Sequence, residues 1–262
     1  MARSRPEIGF STLKSFLDEK AEFYNTPGFI GTDPIQVPHQ FTHPQDIEIA
    51  AFLTATIAWG QKPTIIKNAS DLVSRMPGGP HEFVLNASEE ELNRFLPFVH
   101  RTFNGIDCIY FLRALGNIYR HHGGLRRLME SQYAQHGDMF RSLVHFRQVF
   151  FQFASPGRTS KHLADVARGS SGKRLNMFLR WMVRRDQKGV DFGLWEGIPM
   201  HALFLPLDVH TASVARKLGL LERKQNDWKA VVELTGRLRE FDPADPVRYD
   251  FALFGLGSFE KF

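Results

Sequence analysis

Apolar residues recur at helical spacing along almost the whole of this chain, and this spacing limits the possible folds more than any other feature. In HPQDIEIAAFLTATIAWG, Pro44 stands near a helix start, Asp46 and Glu48 bring negative charge to the first turn, and apolar residues continue as far as Ile57. Sustained alternation of apolar and polar residues, which marks strands, is nearly absent, and we recognise no Asn-Gly hairpin. The sequence therefore predicts an all-α fold.

The same pattern predicts further helices over 10–24, 62–76, 88–95, 106–121, 123–134, 138–153, 173–186, 208–219, 226–240 and 246–254. The long stretch NTPGFIGTDPIQVPHQFTHPQD is predicted to wrap the surface or to carry function. We expect an N-terminal helix and wrapping loop (1–43), then two helical lobes (44–135 and 136–262) with a cleft between them. These boundaries are approximate.

The composition excludes several kinds of site. Cys108 is the single cysteine, so disulfides and cysteine-ligated metal clusters within one chain are excluded, and a buried thiol is its expected role. No histidine pair combines the i, i+4 spacing with the acidic residue of a metalloenzyme helix, so we expect no catalytic metal. MARSRPEIGF lacks the apolar core of a signal segment and no stretch is long enough to span a bilayer, which predicts a soluble, cytoplasmic protein. The formal charge of +5 allows a polyanionic partner without requiring one.

A lysine stands at the start of one predicted helix. In GSSGKRLNMFLRWMVRR, Lys173 follows Gly172 and opens a helix with a regular apolar stripe. A helix N-terminus favours anions, so this lysine does not stabilise the helix. The helix field and burial both favour the neutral amine, which is the form that a Schiff-base nucleophile needs. Taken alone, the stretch is explained more simply by a solvated lysine on a surface turn.

An aspartate stands at the start of a later helix. In LPLDVHTASVARKLGLL, Asp208 directly precedes the helical stretch and Gly219 suits its end. Asp208 is a natural N-cap, because its oxygens accept backbone N–H groups and its charge suits the helix dipole. A plain cap explains this residue completely, and the local sequence does not decide between a cap and a catalytic carboxylate.

Three segments together resemble the helix-hairpin-helix DNA glycosylase superfamily, which includes endonuclease III and the 8-oxoguanine DNA glycosylases. FLTATIAWGQKPTIIKNASDLV is similar to an early helix that ends in a turn with glutamine, here Gln61. GSSGKRLNMFLRWMV is similar to the hairpin followed by the nucleophilic lysine, here Lys173. LPLDVHTASVARKLGL is similar to the segment that carries the catalytic aspartate, here Asp208, and it is the most specific match of the three.

The wide separation of Lys173 and Asp208 resembles the archaeal branch of 8-oxoguanine glycosylases more than endonuclease III. KRLNMFLRWMVR and DPVRYDFALFGLG also look like a bacterial family of unassigned function. The chain departs from the superfamily at the hairpin, where ARGSSGK replaces Leu-Pro-Gly-hydrophobic-Gly and makes phosphate binding by the backbone less secure. The four-cysteine iron–sulfur signature of endonuclease III is impossible with one cysteine.

The resemblance implies a bifunctional DNA glycosylase and AP lyase. It would act as a monomer on double-stranded DNA and excise a damaged base, with an oxidised purine such as 8-oxoguanine preferred. Lys173 would be the nucleophile and Asp208 would assist it. No cofactor is expected apart from a monovalent cation at the hairpin. Two alternatives stay open: a non-catalytic nucleic-acid-binding module that kept the fold, and a helical adaptor with no nucleic-acid role.

Two further groups of residues are expected in the site. The candidates for contact with the DNA phosphates are Lys161, Arg168, Gly169, Gly172 and Arg174. A solvated surface is the alternative for the basic members of this group. The candidates for the base pocket are Trp59, Gln61, Tyr249 and Asp250. Core packing or ordinary surface is the alternative for these four.

Overall fold

The computed structural model describes residues 9–153 and 155–262, and it confirms the all-α fold. The α-helices are α1 (Phe10–Tyr24), α2 (Pro27–Ile30), α3 (Pro44–Thr56), α4 (Lys62–Ser74), α5 (Pro80–Asn86), α6 (Glu89–Asn93), α7 (Gly105–His122), α8 (Gly124–His136), α9 (Met139–Phe150), α10 (Lys173–Val183), α11 (Val209–Lys217), α12 (Trp228–Phe241) and α13 (Tyr249–Ser258). Each helix predicted from the apolar spacing has a counterpart here, with ends that differ by a few residues.

Local signals set many of these ends. The longest helix, α7, begins at a capping box, in which the Asn104 side chain accepts the backbone N–H of Asp107 and Asp107 bonds back to Asn104. It ends at Gly123, whose left-handed backbone (φ 74°) closes the last turn. Capping at both ends explains why the predicted range of 106–121 lies so close to the observed helix.

A short hairpin and several short helices were not predicted from the sequence. Strands β1 (Val99–His100) and β2 (Phe103–Asn104) pair antiparallel, with Val99 opposite Asn104 and His100 opposite Phe103. The sequence pattern did not reveal this hairpin, because two-residue strands are too short to alternate visibly. The turn also uses Arg101 in a left-handed conformation (φ 55°) instead of glycine or asparagine. Within the predicted wrapping loop lie α2 and two 3₁₀ turns, Pro34–Gln36 and Pro38–Gln40.

Buried apolar side chains from all parts of the described chain form one continuous core. Helix α3 lies near its centre, with every residue from Ile47 to Thr56 buried, and packs against α10. Glu48 in this helix accepts hydrogen bonds from the Tyr119 hydroxyl (2.6 Å) and the Trp195 indole (2.9 Å), which satisfies its buried carboxylate. Helix α1 packs along α13, so the two ends of the described chain lie side by side.

Two expectations concern a membrane-spanning helix and a signal segment. Within residues 9–153 and 155–262, no helix has the length and apolar character needed to cross a membrane. Residues 1–8, from which most of the argument against a signal segment came, lie outside the described residues.

Candidate functional site

A cleft of about 940 Å³ lies where α4, α10, α11 and α13 approach one another, with the 27–36 segment forming part of its wall. Basic side chains in its lining outnumber carboxylates. The basic ones are Lys62, Lys161, Lys173, Arg174, Arg180 and Lys261, and the acidic ones are Asp33, Asp208 and Asp250. The cleft therefore combines a positive field with a few individually placed carboxylates, which suits an anionic ligand.

Lys173 is brought to the cleft by a glycine turn. It is the first residue of α10 and follows Gly172, whose backbone is left-handed (φ 62°). A Cβ at Gly172 would also lie only 3.0 Å from a methyl carbon of Val166, so glycine suits this position on two grounds. The Lys173 side chain keeps 28% of its surface exposed and lines the cleft.

Asp208 caps α11 and faces Lys173 at the same time. Its Oδ1 accepts the backbone N–H groups of His210 and Thr211, both at 2.9 Å. Its Oδ2 lies 4.0 Å from Nζ of Lys173. This distance exceeds hydrogen-bonding range, so the two groups attract each other without direct contact. The two predicted catalytic residues are thus neighbours in one cleft, and the N-cap role of Asp208 leaves one of its oxygens directed at the lysine.

The turn before α10 differs from the expected hairpin. Its first helix is only a three-residue 3₁₀ turn, Val166–Arg168. The N–H groups of Gly169 and Gly172 are used inside the turn, bonding to the Val166 carbonyl (3.0 Å) and the Ser170 hydroxyl (3.3 Å). The first helical bond of α10 runs from Asn176 to Gly172, at 2.9 Å. The N–H groups that precede it in the first turn of α10 are therefore better placed to meet a phosphate than those of Gly169 and Gly172.

The three basic candidates for phosphate contact differ in position. Lys161 is exposed and lines the cleft. Arg168 is not in the cleft lining and is 89% exposed, with its guanidinium 3.7 Å from Asp165. Arg174 lies 4.7 Å above the Trp59 ring and donates to the Thr56 carbonyl, and burial lowers its pKa to about 10. Arg174 thus supports the tryptophan from inside the cleft, which leaves Lys161 as the best placed side chain for a phosphate.

Three of the four base-pocket candidates line the cleft. Trp59 is held on its other sides by His100 (ring centroids 4.9 Å apart) and His162 (6.0 Å), and Gln61 is exposed. Asp250 is buried and bonded to Arg180, and burial raises its pKa to about 6 against the opposing effect of that guanidinium.

Tyr249 does not line the cleft. It is fully buried, and its hydroxyl donates to Asp18 at 2.7 Å. Tyr249 and Asp250 are neighbours in α13, and neighbouring residues of a helix point in different directions, so Tyr249 reaches α1 while Asp250 lines the cleft.

Two charged residues that the sequence interpretation did not single out also line the cleft. Asp33 comes from the wrapping loop and caps the 3₁₀ turn Pro34–Gln36, and burial raises its pKa. Lys62 is the first residue of α4, and burial lowers its pKa. Asp-Pro in a loop and a lysine after glutamine are both common surface patterns, so only the tertiary packing around these segments reveals their position.

The described residues contain no group of three or more histidine, cysteine, aspartate and glutamate side chains arranged to hold a metal ion. Cys108 is fully buried in α7, away from the cleft lining, and burial raises the pKa of its thiol.

The comparisons with known proteins identify a family without a described activity. No curated protein and no solved structure matches the chain. The family model described as "Protein of unknown function (DUF2400)" matches residues 33–259, a range that includes every cleft residue named above except Lys261. The chain belongs to this family.

Proposed function

We propose that this protein is a bifunctional DNA glycosylase and AP lyase, which excises a damaged base from double-stranded DNA and then cleaves the strand. The observation that carries the proposal is the placement of Lys173 and Asp208 at two helix starts, with Nζ and Oδ2 4.0 Å apart in one basic cleft. An amine beside a carboxylate is the pair that a Schiff-base mechanism at a sugar carbon needs.

In the proposed reaction the damaged nucleotide leaves the base stack and enters the cleft, which costs a few kcal/mol. The unshared electron pair of the neutral Lys173 amine forms a bond to the anomeric carbon, and the bond from that carbon to the base breaks. The base departs with the bonding electron pair and takes up a proton. The sugar ring then opens to give a protonated imine, and loss of a proton from C2′ expels the 3′ phosphate.

Asp208 has two tasks in this scheme. Its carboxylate stabilises the positive charge that develops on the sugar as the base departs. It also takes the proton that the lysine nitrogen loses on forming the new bond. The two N–H groups bonded to Oδ1 hold the carboxylate in place, so Oδ2 is available for both tasks.

The DNA strand would lie across the cleft with its phosphates near Lys161 and the first turn of α10. Trp59 is a rigid part of the wall around the flipped base, because Arg174 lies over its ring and His100 and His162 contact it as neighbouring rings. Gln61 and Asp250 line the same space. We propose an oxidised purine such as 8-oxoguanine as the substrate and a monomer as the active form, with no cofactor required.

Borohydride trapping tests the proposal, because borohydride reduces an imine between protein and DNA to a stable covalent bond. We expect wild-type protein to form an adduct with duplexes that carry an abasic site or 8-oxoguanine. Lys173→Gln should abolish it. Lys229→Gln is the matched control, since Lys229 also lies in the first turn of a helix, α12, but is exposed and outside the cleft lining.

Lys62→Met belongs in the same experiment, because Lys62 is the other cleft lysine at a helix start. An adduct that persists in Lys173→Gln and disappears in Lys62→Met would show that Lys62 is the nucleophile and that the assignment to Lys173 is wrong. DNA binding by wild-type protein without an adduct or base release on any lesion would contradict the enzymatic proposal and favour the non-catalytic binding module.

A further inference from the structure

Asp33 is a buried carboxylate with an incomplete set of partners. It is 7% exposed and lines the cleft. Its Oδ1 accepts the backbone N–H of Ile35 at 3.1 Å, which is the one hydrogen bond to this carboxylate among the described residues. A buried carboxylate is normally paired or more fully hydrogen-bonded, because leaving water is costly for the charged form. Oδ2 is therefore open to a ligand in the cleft.

Lys62 presents a positive charge in the same part of the cleft. Its ammonium lies 4.5 Å from the centre of the Phe254 ring and 4.7 Å from that of Phe259. These rings attract the cation without accepting conventional hydrogen bonds from it, so its N–H groups stay available. Phe29 and Ile65 add apolar lining nearby, which favours a ligand over water.

The two groups influence each other without touching. Burial raises the pKa of Asp33, and the charges of Arg180 and Lys62 act against it. Burial lowers the pKa of Lys62, and the charge of Asp33 acts against it. Among the described residues, no ion pair within 4.0 Å joins them. A donor and an acceptor that are both partly desolvated, and separated by more than a direct contact, leave space for a polar ligand edge between them.

We propose that Asp33 and Lys62 recognise the cyclic amide edge of a flipped base, on which a ring carbonyl stands next to a ring N–H. Lys62 donates to the carbonyl and Asp33 accepts from the N–H. The class includes 8-oxoguanine, hypoxanthine and uracil, and also guanine and thymine, whereas adenine offers an acceptor nitrogen beside an amino group instead. This inference rests on the proposed function, and it assigns specificity to residues separate from Lys173 and Asp208.

Binding to uncleavable DNA tests this assignment without requiring catalysis. The probes are duplexes with 2′-fluoro-8-oxodeoxyguanosine, with 2′-fluorodeoxyadenosine, or with a tetrahydrofuran abasic analogue, and fluorescence anisotropy gives the Kd of each. The measured quantity is the preference for the 8-oxoguanine duplex over the abasic one. We expect wild-type protein to show this preference and to show none for the adenine duplex.

Asp33→Asn and Lys62→Met should each reduce the preference about 10-fold or more, since each leaves a polar group of the buried base edge without a partner. Asparagine keeps one oxygen, which can accept the Ile35 N–H, and replaces the other oxygen by an amide NH2. This NH2 and the base N–H are both donors, so they cannot form a hydrogen bond with each other. Lys67→Met and Asp71→Asn are the matched controls, since both residues are exposed on α4 and outside the cleft lining. Circular dichroism of each variant verifies that it is folded.

The outcomes separate this inference from the proposed function. Loss of the preference in both variants, with the controls unchanged, supports the assignment even if no adduct can be trapped. A preference that survives in either variant, or wild-type protein that favours the adenine duplex, overturns it even if Lys173 proves to be the nucleophile. Equal binding of all three duplexes by wild-type protein also overturns it.

Discussion

At the scale of single residues, Asp208 shows how one side chain serves both the fold and the proposed chemistry. Each role uses a different oxygen: Oδ1 accepts two N–H groups of α11, and Oδ2 faces Lys173. Asparagine caps helices about as well as aspartate, but its uncharged amide cannot take a proton or stabilise a cation as a carboxylate does. The two roles can therefore be separated by a single substitution.

We expect Asp208→Asn to lower the rate of borohydride trapping on an abasic duplex on the order of 100-fold, because charge stabilisation is lost. The free energy of unfolding should change by less than about 1 kcal/mol, because the cap is kept. Single-turnover trapping and urea unfolding measure the two effects. Asp227→Asn is the control for trapping, because Asp227 caps α12 through the Ala230 N–H and lies outside the cleft lining. A loss of stability without a loss of trapping would mean that Asp208 is only a cap.

The sequence predicted some site residues and not others for a physical reason. Lys173 and Asp208 stand at helix starts that local signals define, a glycine turn in one case and an N-cap in the other. Asp33 and Lys62 have ordinary local contexts, and their place in the cleft depends on distant contacts such as those of α13 aromatic rings with Phe29 and Lys62. Local patterns reveal where a helix begins, whereas the partners of a loop residue depend on contacts far along the chain.

At the scale of structural elements, the β1–β2 hairpin anchors the segment that carries Trp59. His100 of β1 donates from Nε2 to the Trp59 carbonyl (3.0 Å), and its Nδ1 lies 2.9 Å from the Asn68 amide nitrogen of α4. Both bonds are satisfied by a neutral ring with the proton on Nε2, because Nδ1 then accepts from the amide. Protonation would place two donors against each other at Nδ1. Burial lowers the pKa of His100, with the charges of Arg101 and Arg174 acting in the same direction.

This pKa shift fixes the sign of a pH effect. Below the ordinary histidine pKa of about 6.5, the unfolded chain binds the proton more readily than the folded chain does. The stabilisation is therefore complete above pH 6.5 and is lost as the pH falls toward the folded pKa. We expect urea unfolding at pH 7, 6 and 5 to show a steeper loss of stability for wild-type protein than for His100→Gln. His121→Gln, at the exposed end of α7, should behave like wild type. Parallel pH profiles for wild type and His100→Gln would contradict this role.

At the scale of the whole molecule, the apolar spacing in the sequence predicted the helices but did not predict how they pack against one another. Apolar spacing is a property of neighbouring residues, so it predicted α3 and α10 as helices. It did not predict that α3 would be buried along nearly its whole length with α10 against it. A helix that is buried all round has no single apolar face, so its pattern identifies no partner. The cleft exists because this packing brings distant helix starts together.

The basic lining of the cleft leads to a prediction for the intact protein. If it binds the DNA backbone, the logarithm of the association constant should fall linearly with the logarithm of salt concentration, by about 0.9 for each phosphate neutralised. Lys161→Gln should reduce the size of that slope by about 0.9, because Lys161 is exposed and lines the cleft. Fluorescence anisotropy with an abasic-analogue duplex at 50 to 300 mM KCl (about sixfold in salt) measures this, with Lys229→Gln as the control. An unchanged slope would exclude a phosphate contact at Lys161, and binding insensitive to salt would exclude the polyanion altogether and favour a helical adaptor.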